Sequence, residues 1–286
     1  MPVLFVYTLC FSFICILIVA FYMRARLFLV VCFSFAGLLL WAQGGVRPLV
    51  VAHRGGAGEG LENVLSNIKK SVELGVYAVE VDVRLTADGC VVLCHDATVN
   101  STTNGKGRVS RLSLKELQSF RIVDGKGCVT NETIPTLRQV LQFVDGRCKV
   151  LVEIKEGGRG IEEAVVEDVL ACDAVDWVAV HSFSDEVLLR LRGMDAPFPL
   201  EKLIVFKVPL LPLIFDGTLR FFSFEKYSYI SSFNFHKRCL PRSLAAKIRA
   251  RGKAVKVWTV RSAADVPAAE VDAVITDYPS SWNIAY

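Results

Sequence analysis

The sequence predicts an α/β protein, a (β/α)8 barrel preceded by an N-terminal hydrophobic membrane segment. Three observations predict it. From residue 48 onward, short β-branched runs alternate with longer amphipathic ones, and repeated β-then-α units build a parallel sheet. The part from residue 46 to 286 has few linkers and roughly the length, about 250 residues, at which an α/β barrel folds as one unit. The first 45 residues, by contrast, are dominated by two apolar runs. An open doubly wound sheet is the second architecture this alternation allows.

Residues 3–23 carry no charge, and a helix of that length crosses a hydrocarbon core of about 30 Å. Arg24-Ala25-Arg26 links this run to a second one that ends near Gln43. Two membrane helices joined by a tight turn, or one helix plus an interfacial segment, account for both. A cleaved signal peptide fits less well, because the run has no basic start and no clear small-residue cleavage site. Residues 1–45 are therefore expected to anchor an integral membrane protein. If both runs cross, the two arginines stay cytosolic and residues 46–286 lie on the lumenal or extracellular side.

The soluble elements follow in order. PLVVAH (48–53) reads as a strand and Leu61 to Gly75 as a helix, with Val64, Leu65, Ile68 and Val72 inward. YAVEVDV (77–83) and CVVLCH (90–95) are strands joined by a turn at Asp88-Gly89. Ser113 and Glu116 form a capping box that opens a short helix, and 136–144 is another helix. CKVLVEIK (148–155) is extended; helix, strand and helix follow at about 160–171, 177–181 and 184–192. Residues 200–206, 229–235, 254–260 and 271–277 supply further strands, with a helix at 241–251. One stretch, 203–224, is strongly apolar but interrupted by Pro209, Pro212 and charges, so a spanning helix is excluded. It reads as a hydrophobic excursion, either packed on the barrel or facing a membrane.

A net charge of +4 without a dense basic run excludes nucleic acid as a partner. The nine cysteines show no CxxC spacing and read mostly as small apolar residues.

Chemistry concentrates at strand ends. Glu80 and Asp82 stand two apart on a strand and so share a face. On a one-sided antiparallel sheet that face would be solvent. In a parallel barrel both faces are covered, and paired carboxylates then need a cation, with Mg²⁺ or Ca²⁺ suiting oxygen ligands best. Glu153 and Lys155 repeat the device on another strand. His53, His95 and His181 fall at strand ends, where barrels build active sites. Arg54 and two glycines follow His53, and the glycines would let backbone approach a ligand. Cationic side chains, imidazoles and an ion around one point suit a phosphate ester. His181 and His236 read as structural.

VAHRGG, LEN, ELG, EVDVRLTADG, VVLCHDATV, TTNGKG, IPTL, VEIK, HSFS, VWTV and ITDYP occur in the order and spacing of the glycerophosphodiester phosphodiesterase family, which the chain resembles over about 50–279. The apolar runs make it look most like the animal membrane-bound members. The resemblance implies a TIM barrel, a divalent metal on Glu80, Asp82 and Glu153, His53 and His95 as acid and base, and Arg54 and Lys155 on the phosphate. It implies hydrolysis of a glycerophosphodiester to an alcohol and sn-glycerol 3-phosphate, or lysophospholipase D action on a lysophospholipid or N-acylethanolamine lysophospholipid. A membrane-anchored scaffold without catalysis is the remote alternative. Two departures stand out: Gly60-Leu61-Glu62-Asn63-Val64 replaces the usual P-E-N-T, and Ser101 stands where the family commonly has arginine.

Overall fold

The computed structural model describes residues 48–205, 224–267, 269–282 and 284. The N-terminal apolar runs and most of the 203–224 excursion lie outside them. Among the described residues no helix is long and apolar enough to cross a membrane.

Strands β1 (Leu49–Ala52), β2 (Ala78–Leu85), β3 (Val91–Leu93), β4 (Lys149–Ile154), β5 (Val178–Ser182), β6 (Leu200–Ile204), β7 (Ser232–His236), β8 (Ala254–Val260) and β9 (Ala273–Thr276) form one sheet. All but β3 pair in parallel, and β1 pairs with both β2 and β9, so eight strands close into a ring. Alternation along each strand then has two meanings. Val79, Val81, Val83, Val150, Val152 and Ile154 point out and pack in the main core, while Val51, Ala78, Leu151, Ala273 and Ile275 fill the interior.

The antiparallel β3 departs from the β-then-α reading. The turn from Thr86 to Cys90 is far too short for a parallel crossover, so the chain folds back on β2 with Leu85 opposite Val91. Gly89 takes φ +82° in that turn. The hairpin has a functional consequence: Cys94 N–H donates to Asp82 C=O at 3.0 Å, which returns the following residue, His95, to the barrel mouth.

Helices α1 (Leu65–Glu73), α2 (Leu114–Ser119), α3 (Leu137–Val144), α4 (Ile161–Ala171), α5 (Asp185–Gly193) and α6 (Arg242–Arg249) accompany the strands. α1 starts four residues later than periodicity suggests, because Asn63 is left-handed (φ 55°) and Val64 extended. Ser113 with Glu116 and Thr136 with Gln139 both make reciprocal capping boxes.

Where the chain re-enters the described region, Asp185 at the start of α5 gathers three groups. Lys202 Nζ lies 2.9 Å away, Tyr227 Oη donates at 3.0 Å, and Lys226 is also paired with it. Burial opposes its charge, but Lys226 and Lys202 hold the Asp185 carboxyl below the usual value of 3.8. Lys202 is fully buried, so removing the carboxylate takes an anionic partner from a charge in the interior. Asp185→Ala should cost about 3 kcal/mol in denaturant unfolding at neutral pH. The depressed pKa makes this stabilisation complete above pH 3.8, so the gap to wild type should narrow only as pH falls below that value.

Candidate active site

Register assembles the site. Asp82 on β2 pairs with Glu153 on β4, and Glu153 with His181 on β5, which sets three polar inward positions side by side near the strands' C-terminal ends. Glu153 and His181, together with His53, Arg54, Glu80, His95 and Lys155, line a pocket of about 270 Å³ whose apolar lining includes Phe183, Leu203 and Trp258.

The loop after β1 begins the polar wall. Arg54 adopts φ 50°, ψ 35°, uncommon for a side-chain-bearing residue, and in that turn its N–H donates to Glu80 Oε2 at 2.7 Å. Its Nη1 donates to Glu62 Oε2 at 2.8 Å, and its Nε sits 3.2 Å from Asp82 Oδ2. Asn63 closes the same corner, donating to Asp82 Oδ2 at 2.9 Å. Glu62 and Asn63 thus keep the rim despite the altered loop around them. The two glycines bring the helix close. A Cβ on Gly55 would come within 2.8 Å of Ile68 Cγ1, and the Gly55 and Gly56 carbonyls accept Ser71 Oγ and Asn67 Nδ2. They let α1 approach the loop.

Both mouth imidazoles are oriented by carboxylates. His53 Nδ1 lies 2.6 Å from Asp277 Oδ1, and His95 Nδ1 lies 2.8 Å from Asp96 Oδ1. Ser101 donates to the other Asp96 oxygen at 2.7 Å. Each ring is left with Nε2 for proton transfer. Burial alone would lower the His53 pKa, but the Asp277 hydrogen bond and the Glu80 charge raise it above 6.5.

Glu80, Asp82 and Glu153 are all buried. Burial opposes ionisation of Asp82, yet Lys155 and Arg54 hold its carboxyl below the ordinary range. Burial and the neighbouring Asp82 charge push Glu153 up. Lys155 Nζ stands 2.7 Å from Glu153 Oε1 and 3.3 Å from Asp82 Oδ1. Glu80 Oε1 and His181 Nε2 are buried without a hydrogen-bond partner. Ligand atoms of Glu80, Glu153 and His181 lie within 4.8 Å of one another, so this cluster could hold a metal ion.

The glycerophosphoryl diester phosphodiesterase family model matches residues 53–281, most of the chain and all of the polar wall. The chain belongs to this family. It is 32% identical to YhdW of Bacillus subtilis over 237 residues, 80% of this chain and 94% of that protein. It is 27% identical to the Bos taurus glycerophosphodiester phosphodiesterase 1, covering 76% of this chain and 72% of the other. Bacterial and animal members match alike, which does not single out the animal membrane-bound ones. The fold is that of the glycerophosphodiester phosphodiesterase from Agrobacterium tumefaciens (TM-score 0.66, 22% identity, 82% and 97% of the two chains). It is also that of an Oleispira antarctica phosphodiesterase in complex with sn-glycerol-3-phosphate (TM-score 0.66, 24% identity, 81% and 94%). As a glycerophosphoryl diester phosphodiesterase family member, the protein is a phosphoric diester hydrolase.

For this hydrolase all seven residues singled out in the sequence border one pocket or its walls. Asp277, Asp96 and His181 are the additions. Asp277 is 224 residues from His53 in sequence, and only ring closure through β9 and β1 joins them. His181, read as structural, faces the carboxylates. His236 meets that reading: its ring packs edge-on against Trp258, with centroids 5.1 Å apart. Asp277→Asn should lower the His53 titration midpoint measured by NMR, because the hydrogen bond that raises it is lost. An unchanged midpoint would show that Asp277 does not hold the ring.

Proposed function

We propose that the protein hydrolyses glycerophosphodiesters, of glycerophosphoinositol type or similar, to an alcohol and sn-glycerol 3-phosphate in a divalent-metal-dependent reaction. One observation carries the reading: two buried carboxylates, two cationic side chains that pair with a third, Asp82, and two carboxylate-oriented imidazoles share one pocket at a barrel mouth. The orphaned Glu80 oxygen and the acidic set around it fit a hard cation, Mg²⁺ or Ca²⁺, on Glu80, Asp82 and Glu153. When bound, the ion would polarise a phosphoryl oxygen and offset developing negative charge.

The chain's own residues do the rest. Arg54 and Lys155, already placed by Asp82 and Glu153, bring positive charge to the non-bridging oxygens. One of His53 and His95 removes the proton from water or from a neighbouring glycerol hydroxyl, and the other protonates the departing alkoxide. Asp277 and Asp96 keep each ring's Nε2 directed to the substrate.

A second reading rests on the apolar wall. Phe183 and Trp258 meet edge to face at 5.6 Å beside Leu203, where the 203–224 excursion begins. Such a wall would accept an acyl-bearing substrate, making the enzyme a lysophospholipase D that releases lysophosphatidic acid. A membrane anchor at residues 1–45 would bring it to that substrate.

Product identification from glycerophosphoinositol, glycerophosphocholine and a lysophospholipid separates the readings. The first predicts turnover of the water-soluble diesters with Mg²⁺ or Ca²⁺, loss on chelation, and recovery when the ion is restored. Glu80→Ala and His53→Ala should each lower kcat by about 10³-fold or more; full activity in either would remove the proposal. If the second reading holds, Trp258→Ala should raise KM for the lysophospholipid by about tenfold, a loss of apolar contact, and leave the soluble diesters little changed.

A further inference from the structure

A parallel barrel ordinarily fills its interior with branched apolar side chains. Here β5, β6, β7 and β8 instead place His181, Glu201, Asn234 and Lys256 inside, all buried. They form a chain that ends beneath Glu80. Lys256 Nζ stands 2.5 Å from Glu201 Oε1. Burial opposes the Glu201 charge, but Lys256 beside it holds the carboxyl below its ordinary value, so Glu201 is an acceptor only.

That assignment propagates. The second Glu201 oxygen, Oε2, lies 2.9 Å from Asn234 Nδ2, and the reversed amide would set oxygen against carboxylate oxygen. Asn234 Oδ1 meanwhile accepts the Ser232 hydroxyl at 3.0 Å. The same Nδ2 lies 3.2 Å from His181 Nδ1. An amide nitrogen donates and does not accept, so His181 Nδ1 must be the acceptor. A ring with an accepting Nδ1 is neutral and carries its hydrogen on Nε2. Nε2 in turn faces Glu80 Oε1 at 3.6 Å.

Distance alone would make Glu80, Glu153 and His181 a mixed oxygen–nitrogen metal site. The hydrogen decides otherwise. A metal-bound histidine donates its remaining ring N–H outward to a carboxylate, carbonyl or water, whereas the outward partner of His181 is itself a donor. We propose that His181 is a fixed Nε2–H donor facing Glu80 and not a metal ligand. The Lys256–Glu201–Asn234 chain thereby withholds the nitrogen lone pair from an ion between Glu80 and Glu153. Coordination stays all-oxygen, and the site selects Mg²⁺ or Ca²⁺ over Zn²⁺ or Co²⁺. This rests on the ion of the proposed function, and it adds a positioning residue and a basis for metal choice.

The test reads the ring directly. The full chain has four histidines, so imidazole-¹⁵N labelling gives a tractable spectrum in which His181→Gln identifies the signal. With Mg²⁺ present, His181 should show the neutral Nε2–H tautomer, and loading with ¹¹³Cd²⁺ should produce no one-bond coupling to its nitrogen. An Nδ1–H tautomer, or such a coupling, overturns the proposal. Asn234→Leu removes the donor to Nδ1 and frees the lone pair, so the ratio of Zn²⁺ to Mg²⁺ affinity should rise by about 10- to 100-fold. An unchanged ratio in folded Asn234→Leu also overturns it, and if that variant does not fold, the wild-type spectrum decides. Coupling at His181 in an enzyme that hydrolyses diesters would sink this inference alone. A protein that binds no divalent cation would sink the metal-dependent function with it.

Discussion

Interleaved charge at the barrel mouth is the constraint on which the rest depends. Glu80, Asp82 and Glu153 are buried side by side, an arrangement that repulsion and desolvation would each dismantle. Arg54 and Lys155 stand between them, at 3.2 and 3.3 Å from the two Asp82 oxygens. Remaining acidity is unevenly shared: Asp82 is held ionised, while burial raises Glu153. The spare acceptor at this site is Glu80 Oε1, which is buried without a hydrogen-bond partner in the cluster that could hold a metal ion.

Backbone geometry serves that balance. The left-handed turn at Arg54 lets one residue serve two carboxylates, with its N–H on Glu80 and its guanidinium on Asp82. Gly55 and Gly56 make the turn possible by admitting helix α1 to contact. The hairpin of β2 and β3 does equivalent work on the other side, carrying His95 back over the strand that holds Glu80 and Asp82. Around the rim, Ser101 braces Asp96, which braces His95. Beneath it, a polar column from Lys256 to His181 occupies space that apolar packing would otherwise fill.

Most of this was legible in the chain itself, and for a physical reason. Period-two alternation on β2 and β4 determines that Glu80 with Asp82, and Glu153 with Lys155, share a face. Repeated β-then-α spacing determines a parallel sheet, and local chemistry determines the helix starts at Ser113 and Thr136. Ordered motifs carried the seven site residues and the family. What only the tertiary structure decided is what depends on ring closure and register. Asp277 reaches His53 because the last strand pairs with the first. His181 becomes part of the floor because β5 aligns it with Glu153. Its protonated nitrogen follows from Asn234 and Glu201 on two further strands. These partners are dozens to hundreds of residues apart, and no local pattern encodes which nitrogen of a ring will meet a donor.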